Sequence, residues 1–108
     1  MTSAAQLFET TLPHILRHSP QRATAVGGSF LFVLSGDGGG TWRVDLERTP
    51  PEVTADSTPA RCTIEADVRD FEEMLAHPAS VLQLYKEGRL RVSGDVALAG
   101  RLHLLFGD

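Results

Sequence analysis

The stretch Ser29–Ser35, SFLFVLS, constrains this chain more than any other. Successive side chains of an extended segment point to opposite faces, so Phe30, Phe32 and Leu34 share one side while Leu31 and Val33 share the other. A strand apolar on both faces belongs in the middle of a sheet. Its predicted neighbours differ. In TWRVDLE, Trp42, Val44 and Leu46 alternate with Arg43, Asp45 and Glu47, which leaves one wet face. Arg61 to Ala66 alternates likewise, with Cys62, Ile64 and Ala66 inward, and Leu90 and Val92 mark a last short strand. Glu52 to Ser57 reads as a weak edge strand. Strands wet on one side need a single helical layer on the other. That predicts an α+β two-layer sandwich, a five-stranded, mostly antiparallel sheet covered on one face by about four to five helices.

The helices announce themselves by spacing. Ser3 and Gln6 stand at capping-box distance, and Leu7, Phe8, Leu12, Ile15 and Leu16 follow at helical intervals. Pro13 removes an internal hydrogen bond, which predicts a kink or two abutting helices there, and Ser19-Pro20 ends the element. Asp67 is placed to cap a helix carrying Phe71, Met74 and Leu75, broken at His77-Pro78. Ser80 with Gln83 predicts a second capping box, for a helix presenting Val81, Leu82, Leu84 and Tyr85 and stopped by Gly88. Asp95 is expected to cap a final helix whose apolar residues Val96, Leu98, Leu102, Leu105 and Phe106 recur at three- and four-residue steps. The first three strands are expected to form an antiparallel meander. The fifth, arriving after two helices, is expected to join by a crossover.

The chain has 108 residues, enough for one domain spanning 1–108 but leaving little room for a second. Its net charge of −4 argues against nucleic acid as a partner. The acidity is concentrated: Asp37 to Leu84 holds ten acidic residues against four basic ones. Lys86, Arg89, Arg91 and Arg101 cluster near the other end, a pattern that fits a solvated face or a transient contact with anionic lipid. The single Cys62 excludes an internal disulfide and fits a reducing compartment. No signal-peptide pattern opens the chain, no apolar run approaches the roughly 20 residues of a bilayer span, and the closing FGD is no targeting tripeptide. The expected location is the cytoplasm.

Motifs for chemistry are missing where they would be needed. The Gly36–Gly40 run, GDGGG, leads into a strand rather than a helix N-terminus, so it is a hairpin turn and not a phosphate loop. His14 and His18 share a helical face, but Ile15 stands where a metalloprotease carries Glu, and no further ligand completes a metal site. Cys62 is inward with no neighbouring His in sequence, which reads as a small buried thiol. Asp45, Glu47, Glu65, Glu72 and Glu73 fall on wet faces. No triad spacing and no cofactor motif occurs, and the chain is expected not to be an enzyme.

The order of segments FLFVL, GTWRVDL, CTI, DFEEML and KEGRLRVSGDVALAGRLHLLF resembles the sterol carrier protein 2 domain family over residues 30–106. The resemblance is most specific in GRLRVSGD and the helix after it. It implies a five-stranded sheet under helices enclosing an apolar tunnel for sterols, fatty acids or fatty acyl-CoA. One departure is the linker Ala76-His77-Pro78-Ala79-Ser80, where His replaces the family's frequent Gly and Pro is displaced. That linker borders the tunnel in the family.

The leading expectation is therefore a carrier that binds, and transfers, a hydrophobic small molecule such as a fatty acid, fatty acyl-CoA, sterol-like or isoprenoid lipid. The inward faces supply the candidate ligand residues: Phe32, Trp42, Val44, Ile64, Phe71, Leu75, Leu82, Tyr85, Val92, Leu98, Leu102 and Phe106. Burying about 12 methylenes at about 0.8 kcal/mol each gives a gross term near 10 kcal/mol, which ordering costs reduce toward micromolar affinity. Two alternatives stay open. One is a structural, dimerising or accessory module for an enzyme of hydrophobic substrates. The other is an isomerase or cyclase served by Tyr85 and His103. No metal or cofactor is expected, and the chain is expected to be a monomer or homodimer.

Overall fold

The computed structural model describes residues 3–48, 51–77 and 80–101. The N-terminal helix begins at α1 (Ala4–Gln6), where Ser3 Oγ accepts from the Gln6 amide at 3.1 Å. It widens into a π-helical turn over Leu7–Thr11 and continues as α2 (Leu12–His18). The cause lies in Pro13, which has no amide hydrogen to donate and whose ring crowds the carbonyl four residues earlier, on Glu9. Opening one turn to i→i+5 bonding, with the Leu12 amide donating to the Leu7 carbonyl, relieves that clash without breaking the helix. The predicted kink takes this form.

A second helix, α3 (Pro20–Val26), then appears that the pattern reading overlooked. Pro20 occupies its first turn, where the missing amide costs nothing, and it buries only Ala23 and Val26. Two small inward residues leave too faint a periodicity to register.

The sheet comprises β1 (Ser29–Ser35), β2 (Gly40–Asp45), β3 (Glu52–Thr54), β4 (Cys62–Asp67) and β5 (Leu90–Gly94), in the order β3-β2-β1-β4-β5. The apolar strand β1 is central, as its two faces require. The meander forms as expected, with Phe32 opposite Trp42 and Val44 opposite Val53. The crossover does not fall where expected. It is β4 that runs parallel to β1, pairing Phe32 with Ile64, while β5 lies antiparallel to β4. Between those two strands come α4 (Val68–Ala76) and α5 (Val81–Lys86). Two helices carry the chain out and back, so it re-enters the sheet at the end it left and must run the other way. The short α6 (Val96–Ala99) follows.

Caps settle the ends. Asp67 Oδ1 accepts from the Arg69 amide at 2.8 Å, as expected of an N-cap. Ser80 and Asp95 occupy cap positions but make no side-chain cap bond; Ser80 Oγ donates instead to the His77 carbonyl. The Asp95 amide donates to the Arg61 carbonyl at 2.8 Å, so it is the β5–β4 junction that holds the start of α6. Gly88, at φ +75°, closes α5 with its own amide on Tyr85 and that of Arg89 on Leu84, a Schellman pair. The breaker Pro78 lies outside the described residues.

Gly28 shows how tightly α6 is seated. It has φ +75°, and a Cβ there would stand 2.6 Å from Leu98 Cδ1. Gly27, at φ +67°, has nothing within 4 Å of that position. Both Gly→Ala variants carry the left-handed cost of about 1–2 kcal/mol. Only Gly28→Ala adds overpacking against Leu98, of about 1–3 kcal/mol. Urea unfolding is expected to place Gly28→Ala below Gly27→Ala by about 1 kcal/mol or more, and equal midpoints would deny the contact.

Candidate functional site

The inner face of the sheet is apolar from edge to edge: Val53, then Trp42 and Val44, Phe30 and Phe32, Cys62 and Ile64, and Leu90 with Val92. The outer face carries Thr41, Arg43, Asp45, Thr63, Glu65, Arg91 and Ser93, by the same alternation, around Leu31 and Val33 on β1. Arg43 pairs there with Asp45 at 3.2 Å. All helical cover therefore lies on one side, and the apolar interior lies between.

Aromatic rings fill the centre of that interior. Phe8, from the π-helical turn, lies 4.8 Å from Trp42 with planes 14° apart and 5.7 Å from Phe71 with planes 17° apart. Its centroid is 4.9 Å from that of Phe32. Phe32 also meets Phe71 edge-on at 5.7 Å and Phe30 at 6.2 Å. Offset and tilted pairs of this kind contribute about 0.5–1.5 kcal/mol each beyond their buried area. The backbone carriers are tied together at the edge of the cluster, where Glu72 on α4 accepts from the Ala4 amide at 2.9 Å. Glu72 thus leaves its expected wet role and caps the first helix, where a carboxylate also meets the positive end of the helix dipole.

The structure gathers most of the sequence-named residues into this layer. Phe32, Trp42, Val44, Ile64, Phe71 and Leu98 are buried, and Leu75 and Val92 pack half-buried against them. Leu82 and Tyr85 do not join. On α5 the inward residue is Leu84; at about 100° per residue, Val81, Tyr85 and Leu82 stand about 60°, 100° and 160° away from it. Their exposures rise in the same order, 40%, 49% and 58%. A six-residue helix with four apolar positions cannot turn all of them inward. Val96 likewise points out, 52% exposed, because it lies two residues from the seated Leu98. Leu102, His103, Leu105 and Phe106 lie outside the described residues. The residue that spacing alone passed over is Phe8. It sat in the apolar stripe of the first helix with four others, and nothing in a stripe distinguishes the residue that reaches the centre.

The basic cluster is largely engaged. Arg89 binds Asp70 and reaches Glu87 at 3.1 Å and Glu73 at 3.8 Å, fastening α4 to the end of α5. Asp70 and Glu87 push its pKa further up, while hydrogen bonds from Gln83 and Arg89 hold the Glu87 carboxyl below the usual range. Arg91 faces Glu65 at 3.8 Å, and Arg101 donates to the Val26 carbonyl at the end of α3. The His14 and His18 rings are exposed and 4.2 Å apart, and among the described residues no group of three metal-ligating side chains assembles.

Cys62 is fully buried on β4, and burial followed by the Asp95 charge pushes its thiol up. A thiol raised in the folded state favours folding while protonated, and that contribution is present below about pH 8.5 and fades as pH rises through the higher folded value. Cys62 is expected to react with an aromatic disulfide reagent at pH 8 only as fast as the protein opens, and promptly in denaturant. Immediate stoichiometric reaction of the native protein would contradict this placement.

The family model described as the SCP-2 sterol transfer family matches residues 8–107. A hydroxysteroid dehydrogenase-like protein 2 of Xenopus laevis is 33% identical over 83 residues, covering 75% of this chain but only 20% of that protein. The chain thus spans about a fifth of the length of the curated relatives it matches. Among solved structures, sterol carrier protein 2 from Yarrowia lipolytica, in its apo form, superposes with a TM-score of 0.74 at 20% identity, covering 94% of this chain and 91% of that one. Palmitated SCP2L2 from Aedes aegypti gives 0.68 at 22% identity, over 99% and 96%. At those identities the two structures establish the shared fold. The family model, which takes in nearly the whole chain, establishes more: the protein belongs to the SCP-2 sterol transfer family.

Proposed function

We propose that this protein binds a single hydrophobic molecule, a fatty acyl chain in the first instance, in the layer between the sheet and its helices, and passes it on without chemically altering it. The observation that carries this reading is the continuous apolar inner face with aromatic rings at its centre, in a member of a lipid-transfer family. The structural relative from Aedes aegypti is described as palmitated, which supports an acyl chain as the first ligand to try. Buried cores and apolar ligand sites use the same residues, and only a bound molecule separates them. We take the chain as one domain, cytoplasmic, acting as monomer or homodimer. The outward Val81, Leu82 and Tyr85 of α5 suit a brief contact with a donor or acceptor membrane. Among the described residues no helix is long and apolar enough to cross one.

A second reading has its own support. The Xenopus relative carries the matching region as a fifth of a longer dehydrogenase-like protein, and the exposed apolar side chains of α5 would suit packing on a partner enzyme. In that case the domain would present or shield a hydrophobic substrate and need hold no lipid alone.

Trp42 is the only tryptophan and is buried beside Phe8, so it reports on the interior. Titration with palmitate is expected to change its emission saturably at one ligand per chain, with micromolar affinity or tighter, and native mass spectrometry of the freshly purified protein is expected to show a lipid adduct. An unchanged spectrum and no adduct across several lipid classes would favour the accessory module.

A further inference from the structure

We propose that Phe8 is the plug of this compartment: its ring occupies the place an acyl chain takes, and a chain enters only as that ring swings aside. The proposal rests on the reading of the interior as a lipid compartment. Phe8 is only 1% exposed and touches Phe32, Trp42 and Phe71, three of the residues that the inward faces offer to a ligand. Its ring is nearly parallel to both Trp42 and Phe71. Interiors are close-packed, so a chain cannot lie against those three rings while Phe8 does.

The ring is carried on the π-helical turn that accommodates Pro13. A change of side-chain rotamer is the motion that lifts it off Trp42. The helix itself is seated, with Ala4 and Leu7 buried in the core. It is held at its start by the Ser3 cap on the Gln6 amide and by the Glu72 carboxylate on the Ala4 amide. A central ring on a fixed helix therefore moves alone.

The test is the rate of palmitate binding, followed by Trp42 emission in rapid mixing, for the wild type, Phe8→Ala and Phe8→Leu. The leucine variant keeps the site filled should the alanine variant fail to fold. The wild-type rate is expected to level off as palmitate rises, because withdrawal of Phe8 limits it. That plateau is expected to rise at least tenfold in Phe8→Ala, with Phe8→Leu between. A single 4-fluorophenylalanine at position 8 is expected to shift its fluorine resonance on saturation with palmitate. Identical plateaus in all three proteins, or a resonance unmoved by bound palmitate, would overturn the plug while leaving lipid binding in place. Failure of every folded variant to bind palmitate or any other lipid would overturn the compartment itself, and the plug with it.

Discussion

Phe32 at the middle of the central strand is covered by Phe8 from the first helix and by Phe71 from α4, with centroids at 4.9 and 5.7 Å, and the rest of the molecule is arranged to allow that contact. It joins three segments far apart in sequence. It requires β1 to be central, with β2 and β4 on either side supplying Trp42 and Ile64 at the same level. It requires the helices to share one face, which the polar alternation of the outer face enforces. It also brings α1 against α4 closely enough for Glu72 to cap the Ala4 amide.

Magnitudes indicate how one interior can serve as both core and ligand site. Burying a phenylalanine side chain contributes about 1.5–3 kcal/mol, and each buried methylene about 0.8 kcal/mol. An acyl chain that buries about four methylenes therefore offsets one displaced ring, and a longer chain leaves a surplus. A filled interior keeps the unliganded protein folded, and a long ligand still gains by exchange.

Much of this was legible in the sequence because alternation and helical spacing report burial directly. SFLFVLS identified the central strand, and TWRVDLE and the Cys62–Ala66 segment identified strands with one wet face. What escaped has physical reasons. Helix α3 buries only Ala23 and Val26, and small residues give little periodic contrast. The parallel partnership of β1 and β4 depends on where the connection from β3 returns the chain across the sheet, which no local pattern encodes. Leu82 and Tyr85 looked inward because an apolar helix was assumed to bury every apolar residue. The geometry of so short a helix admits one inward position, and it went to Leu84. Phe8 was visible as apolar, but its central role depends on a π turn set by Pro13 five residues on. The family resemblance, carried chiefly by GRLRVSGD, reached the fold and family directly, which periodicity alone could not.

The central claim is that ligand and core share one space. Nuclear magnetic resonance with isotope-labelled protein and unlabelled palmitate tests it most directly, through intermolecular nuclear Overhauser effects. The account predicts contacts from the acyl methylenes to the methyl groups of Ile64 and Val44 and to the ring of Phe32, all buried on the inner face. Contacts confined to the exposed Val81, Leu82 and Tyr85 would place the lipid on the surface of α5 and contradict it.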